Sequence, residues 1–289
     1  MAAAAVASGA RATTGEPLIT RKIPSSGESL PIIGLGTSGP FEVQNSSGAR
    51  APLKEVLNGF FAAGARLIDT SPMYSTAESV LGELLSSSMQ ERVFLATKVW
   101  TRGEREGVEQ MKHSAEVMKH PKLDLIQVHN LLDVATHLKT LRAWKDEGRV
   151  RYIGITHYTV GAQPDLMRVI EREKLDFVQF NYSAGTRNAE DKLLPLAADR
   201  GVAVLVNRPF EDGRMFEVVN GRPLPPWAAD IDCTSWGQLF LKYVLAHPAV
   251  TCAIPATGKL KHLQDNLAAG RGRLPDAKQR ALIAQELES

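Results

Sequence analysis

Four residues of complementary chemistry recur at regular places along the chain. Arg66-Leu67-Ile68-Asp69, Val93-Phe94-Leu95-Ala96-Thr97-Lys98 and Leu123-Asp124-Leu125-Ile126-Gln127-Val128-His129 are short apolar runs, each ending in a reactive side chain. Their ends are about 30 residues apart, the length of one strand-plus-helix unit, so Asp69, Lys98 and His129 belong at the carboxyl ends of successive parallel strands, facing one cleft. Tyr74 lies on the loop leaving the first of these strands and can lean over the same opening. Together these groups make a proton-transfer set. An ammonium beside a phenol favours the phenolate and lowers its pKa, and a carboxylate beside the ammonium holds it charged and in place. Taken singly, Asp69 reads as a capping carboxylate and Tyr74 as a surface aromatic. Lys98 alone reads as a strand-end lysine or, on a barrel, as a Schiff-base lysine.

The elements that must position these residues are visible as an alternation. From Pro31–Gly36 onward, short apolar runs alternate with longer amphipathic ones eight times, the pattern of a parallel sheet with covering helices. Later strands are expected at Val150–Ile155, Phe177–Phe180, Val202–Val206 and Thr251–Ile254. Helices are expected at Leu53–Ala63, Thr136–Glu147, Leu166–Glu173, Ala189–Arg200 and Ser235–Ala246, several closed by glycine. Leu18–Leu35 places two apolar stretches around Ser25-Ser26-Gly27-Glu28, which predicts a hairpin capping one end. Pro209–Asp232, with Pro223, Pro225 and Pro226, is an irregular insertion and a candidate cover for the cleft. No linker divides residues 18–289, which read as one domain. Residues 1–17, rich in Ala and without periodicity, read as a disordered tail.

Composition narrows the function classes. With 289 residues, 44% hydrophobic and 23% charged, the chain can bury a large core. A net charge of +2 without a basic block argues against nucleic acid as a partner. Cys233 and Cys252 are too few for a disulfide framework, no Cys/His cluster has metal-ligand spacing, and no run is long enough to span a membrane. The expected compartment is the cytoplasm, or the exterior if the small residues at Ala10 and Ala12 are the remnant of an export signal. The oligomeric state is open, a monomer being compatible with the sequence. His113, His120, His137 and His247 lie in polar stretches and are expected to be solvated.

The ordered set of segments resembles the aldo-keto reductase family from about Leu30 to Gly270. It comprises Ile68-Asp69-Thr70-Ser71-x-x-Tyr74 with Glu78 and Leu81-Gly82, Thr97-Lys98-Val99-Trp100, Gln127-Val128-His129, Gly148–Ile155, Gln179-Phe180-Asn181, and Ile254-Pro255-Ala256-Thr257 with Asp265-Asn266. The resemblance implies a (β/α)8 TIM barrel with an amino-terminal hairpin, and reversible reduction of aldehydes or ketones by a nicotinamide dinucleotide. On that reading Tyr74 donates the proton, Lys98 and Asp69 make it available, and His129 orients the substrate oxygen. A regulatory or scaffolding subunit of the same fold, binding the cofactor without catalysing, is the alternative.

For the cofactor, the resemblance puts Gln179 and Asn181 against the nicotinamide amide, with His157 where the family often has Asn, and adds Asp265 and Asn266. Barrels form phosphate sites from the loops after strands seven and eight, here Asn207-Arg208 and Thr257-Gly258-Lys259. Thr257, Lys259 and His262 then offer a hydroxyl, an ammonium and an imidazole to a 2′-phosphate, which favours NADPH over NADH. The alternative for Lys259 and Lys261 is an exposed helix face. Ala256 and His262 stand where NADPH-preferring members often carry Lys and Arg. No G-x-G-x-x-G follows a strand, so a Rossmann site is not expected. Met73, Trp100 and Phe210 are the expected lining of the substrate pocket.

Overall fold

The computed structural model describes residues 16–288. The expected tail therefore lies outside the described residues except for Glu16 and Pro17, and the Glu16 carbonyl accepts a hydrogen bond from Arg271 Nη1 at 2.8 Å. Two antiparallel strands come first, β1 (Thr20–Lys22) and β2 (Ser29–Pro31). Their turn is closed by the Ile23 N–H donating to the Glu28 carbonyl at 2.7 Å, and Gly27 adopts φ 76°, a conformation glycine takes without strain.

Eight parallel strands follow, hydrogen-bonded in sequence order. They are β3 (Leu35–Gly36), β4 (Leu67–Asp69), β5 (Phe94–Val99), β6 (Leu123–His129), β7 (Val150–Thr156), β8 (Phe177–Asn181), β9 (Ala203–Asn207) and β10 (Val250–Ala253). Parallel bridges from Ile33 to Ala253 and from Gly36 to Ala256 join the last strand to the first and close the barrel. Gly36 permits that closure, since a Cβ there would lie 2.7 Å from the Ile254 carbonyl oxygen. The covering helices are α1 (Ser47–Ala62), α2 (Ala77–Leu84), α3 (Ser87–Gln90), α4 (Glu104–Val117), α5 (Val134–Asp146) and α6 (Gln163–Arg172). After them come α7 (Leu193–Asp199), α8 (Arg214–Val218), α9 (Trp236–Leu245), α10 (Leu260–Ala269) and α11 (Ala277–Gln285). The architecture is the (β/α)8 barrel with an amino-terminal hairpin that the sequence led us to expect.

Several boundaries differ from expectation for local reasons. Helix α1 begins six residues before Leu53 because the Ser46 hydroxyl caps it, accepting from the Ala49 N–H at 3.3 Å, and the helix carries Pro52 inside. Helix α7 starts at Leu193 rather than Ala189, since Pro195 lacks the N–H an earlier start would require; a 3₁₀ turn covers Asn188–Glu190 instead. The Pro209–Asp232 insertion is packed down, with α8 and two 3₁₀ turns burying Met215, Ala228 and Ile231. His137 is fully buried rather than solvated. Its Nε2 lies 2.7 Å from the Thr101 carbonyl oxygen, and it faces Gly107 of α4, where a Cβ would come within 2.6 Å of the ring.

Side chains alternate along the strands, and the barrel interior is divided by height. At the hairpin end the inward residues are Leu67, Phe94, Leu125, Tyr152, Phe177, Leu205 and Cys252, plugged from below by Ile23 and Leu30. The outward neighbours Leu95, Ile126, Val128, Val178 and Phe180 join the larger core under the helices. Two to four residues further along the strands, the inward positions turn polar. A hydrogen-bond network fixes the hairpin: Glu28 accepts from Arg66 at 2.8 Å and from the Tyr152 hydroxyl at 2.7 Å, and also pairs with Arg151, which reaches Asp124 at 2.5 Å. Removing the shared acceptor in Glu28→Ala should destabilise the protein by about 1–3 kcal/mol, the range for hydrogen bonds to charged partners. Thermal unfolding checks this, and dinucleotide affinity should stay unchanged because the network is at the end of the barrel opposite the polar layer.

Candidate active site

The polar layer at the carboxyl ends of the strands consists of Asp69 (β4), Lys98 (β5), Gln127 and His129 (β6), Thr156 (β7), Gln179 (β8) and Asn207 (β9). Lys98 is fully buried, and its Nζ donates to Asp69 Oδ2 at 2.6 Å and to the Thr70 carbonyl at 2.7 Å. The other carboxylate oxygen accepts from Gln127 Nε2 at 3.2 Å and Gln179 Nε2 at 2.9 Å. Asp69 is thus held on both oxygens by donors from β5, β6 and β8. Tyr74 is seated by a turn in which its N–H donates to the Ser71 carbonyl at 3.0 Å, ahead of α2. Lys98 Nζ stands 5.0 Å from the Tyr74 ring centroid, and the Tyr74 and His129 rings meet edge to face at 6.1 Å.

The electrostatics differ in one respect from the sequence argument. Burial raises the Tyr74 phenol above its ordinary pKa; the Lys98 charge pulls it down as expected but does not offset the burial. Burial would lower Lys98, yet Asp69 and Tyr74 together hold the ammonium above its usual value. His129 is pushed down to about 3, by burial first and by the Lys98 charge second, so the imidazole is neutral at physiological pH. Its Nδ1 lies 3.0 Å from the Ser71 hydroxyl.

A cavity of about 1160 Å³ opens over this layer. Asp69, Tyr74 and His129 lie in its lining, while Lys98 lies beneath, touching it only through its partners. Of the expected cofactor residues, Gln179, Asn207, Arg208, Thr257, His262, Asp265 and Asn266 line the cavity, while His157, Asn181 and Lys259 do not. Gln179 is engaged as well as exposed to the cavity: besides Asp69 it meets Thr156 Oγ1 at 3.2 Å and Asn207 Nδ2 at 3.3 Å. The Arg208 guanidinium is paired with Asp212. Thr257 accepts from the Lys259 N–H at 3.1 Å, and Lys259 stands at the N-cap of α10 with an exposed side chain. Met73 and Phe210 line the cavity; Trp100 is 41% exposed and stands outside it.

Sequence reasoning missed Gln127 and Thr156, although both keep the inward phase of the alternation set by Lys98 and His129. It also missed Ser71, Tyr158, Phe216 and Trp236, of which Tyr158, Phe216 and Trp236 line the cavity. Phe216 belongs to the insertion and packs on Phe210 with ring centroids 5.1 Å apart, a contact that no local pattern announces.

The cavity suits an elongated cofactor carrying an amide and phosphates. The carbonyl oxygen Asn207 Oδ1, on a residue of the cavity lining, is buried without a partner, an acceptor that an external N–H₂ would satisfy. At the far end, Thr257 lies just before α10, whose free N–H groups favour an anion, and His262, Asp265 and Asn266 along the helix line the same cavity. Asp265 is fixed there by Ser235 Oγ and Gln238 Nε2, each at 2.7 Å.

Comparison with known proteins identifies the family and the fold. The chain is 28% identical to aldo-keto reductase str7 of Strobilurus tenacellus over 94% of each chain. It is 27% identical to the NADH-specific methylglyoxal reductase of Escherichia coli (strain K12), over 52% of this chain and 54% of that one. The fold is similar to that of a Klebsiella pneumoniae aldo-keto reductase in complex with NADPH, with a TM-score of 0.74, 22% identity, and 93% and 95% of the two chains covered. The family model of the aldo/keto reductases matches residues 32–284, and the chain belongs to the aldo/keto reductase family.

Proposed function

We propose that this protein reduces aldehydes or ketones to alcohols, with Tyr74 as the proton donor. The observation that carries the reading is the buried Asp69–Lys98 pair, at 2.6 Å, with its ammonium against the Tyr74 ring beneath a large cavity. The bound nicotinamide dinucleotide would supply the hydride. This chain's residues do the rest. Tyr74 hands its hydroxyl proton to the carbonyl oxygen, and Lys98 stabilises the phenolate that remains, which matters most once substrate and cofactor have displaced water. Lys98 is kept protonated by Asp69, which Gln127 and Gln179 hold in place. Neutral His129 offers a hydrogen bond to the same oxygen. Met73 and Phe210 bound the substrate side, and Asn207 would hold the nicotinamide amide.

Of the two dinucleotides we favour NADPH. Supporting it are Thr257 and His262 in the cavity lining, the Lys259 ammonium at the head of α10 with no ion pair among the described residues, and the absence of a carboxylate between Pro255 and Gln264. The margin is small, since Lys259 must swing in from the rim and Ala256 contributes no charge. The NADH-specific relative named above is the standing competitor. For the compartment we keep the cytoplasm, where the two free, buried thiols Cys233 and Cys252 are at home. Among the described residues no helix is long and apolar enough to cross a membrane.

Tyr74→Phe should lower carbonyl reduction at least ~10²-fold, the scale of a general acid, with dinucleotide affinity nearly unchanged. Near-normal turnover in that variant would remove Tyr74 from the role, and tight dinucleotide binding with no turnover of any carbonyl in the wild type would return the regulatory reading. The pH profile of kcat/KM for reduction should show no inflection near the ordinary histidine pKa of ~6.5, because His129 is already neutral there. It should fall only above ~10, as the raised Tyr74 phenol loses the proton it must donate. Lys259→Ala should weaken NADPH roughly tenfold, the value of a charge-assisted contact, and leave NADH untouched. Equal losses for both would take Lys259 out of the 2′-phosphate site.

A further inference from the structure

Ser71, two residues past the end of β4, is 1% exposed. Its hydroxyl oxygen has two neighbours, the Met73 N–H, which donates to it at 3.2 Å, and His129 Nδ1 at 3.0 Å. The direction of the second contact follows from counting. A hydroxyl carries one hydrogen and two lone pairs, and Met73 occupies one lone pair. Were Nδ1 to carry a hydrogen and donate it, the second lone pair would be filled and the Ser71 hydrogen would be buried with no acceptor, an arrangement native interiors avoid. With Ser71 donating to Nδ1, every group is satisfied. A neutral imidazole then has its single hydrogen on Nε2, which has no hydrogen bond within the described residues, in a ring that lines the cavity.

We propose that Ser71 is a positioning residue that fixes His129 as the Nε2–H tautomer, so that a neutral donor, not a lone pair, faces the carbonyl oxygen of the substrate. The tautomer matters because burial and the Lys98 charge deny His129 its second proton, so one ring nitrogen must go without. In the opposite tautomer Nε2 would present a lone pair to the substrate oxygen and repel it. The Met73 N–H holds the hydroxyl in place, which ties the histidine to the same loop that carries Tyr74. The two groups that meet the carbonyl oxygen are therefore set by one six-residue stretch, Asp69 to Tyr74.

The consequence for catalysis rests on the reductase reading; the tautomer itself does not, and the test separates them. In protein labelled with ¹⁵N-histidine, the His129 signals are identified by their loss in His129→Gln. The wild type should show an unprotonated Nδ1 and a protonated Nε2, and Ser71→Ala should shift the ring toward the other tautomer or a mixture. The same variant should lower kcat/KM for carbonyl reduction roughly three- to tenfold, the value of one neutral hydrogen bond, with dinucleotide affinity unchanged. A protonated Nδ1 in the wild type, or an unaltered His129 spectrum in a folded Ser71→Ala protein, overturns the assignment. If the wild type reduces no carbonyl at all, the reductase reading fails while the spectrum still decides the tautomer.

Discussion

A lysine with no exposure to water can keep its charge only if that charge is answered at once, and in this protein the answer is Asp69. The pair is expensive to bury and becomes tolerable through completeness. Lys98 donates to a carboxylate oxygen and a backbone carbonyl, and the second carboxylate oxygen takes two amide donors. Those donors come from strands that are not neighbours of β4 in sequence, so the ion pair exists only when the sheet has closed far enough for β4, β5, β6 and β8 to present their ends together. The closed barrel does this by bringing the carboxyl ends of all its strands to one face. Gln127 and Gln179 thus belong to the pair as much as Asp69 does, and Gln179 serves both the ion pair and the cavity.

The rest of the interior follows from keeping that polar layer at one height. Below it the inward residues are aromatic and aliphatic, with Phe94, Tyr152 and Phe177 in contact at centroid separations of 5.5–5.9 Å. The hairpin seals this layer with Ile23 and Leu30, and Glu28 fastens the hairpin to Arg66, Arg151 and Tyr152. Water is excluded from beneath the ion pair, so the Lys98 charge is weakly screened where Tyr74 and His129 meet it from above. Burial, together with that charge, leaves the imidazole neutral and makes it dependent on Ser71 for its orientation.

How much of this the sequence discloses depends on the range of the interaction. Strand ends at Asp69, Lys98 and His129 are legible because apolar alternation is a local property, and the spacing between them reports the repeating unit. Helix ends are legible where a glycine or serine marks them; the start of α7 is not, because the effect of Pro195 depends on where the first turn begins. Contacts between distant segments leave weaker traces. Gln127 and Thr156 share the inward phase with recognised residues and were within reach, whereas Phe216 and Trp236 face the cavity through the fold of the insertion. Burial was the hardest quantity to read: it reverses the net shift of Tyr74 expected from Lys98 alone, and it puts His137 in the interior against a glycine of the neighbouring helix.

Lys98 acts on the proposed reaction through Tyr74, the two working as one unit. A double-mutant cycle on single-turnover reduction, using Tyr74→Phe, Lys98→Met and the pair of substitutions together, tests it most directly, with folding of each variant verified by melting and dinucleotide binding. If the ammonium serves the phenol, the double variant falls no further than the more damaged single variant. Losses that multiply in the double variant would mean that Lys98 and Tyr74 contribute independently, which contradicts the account.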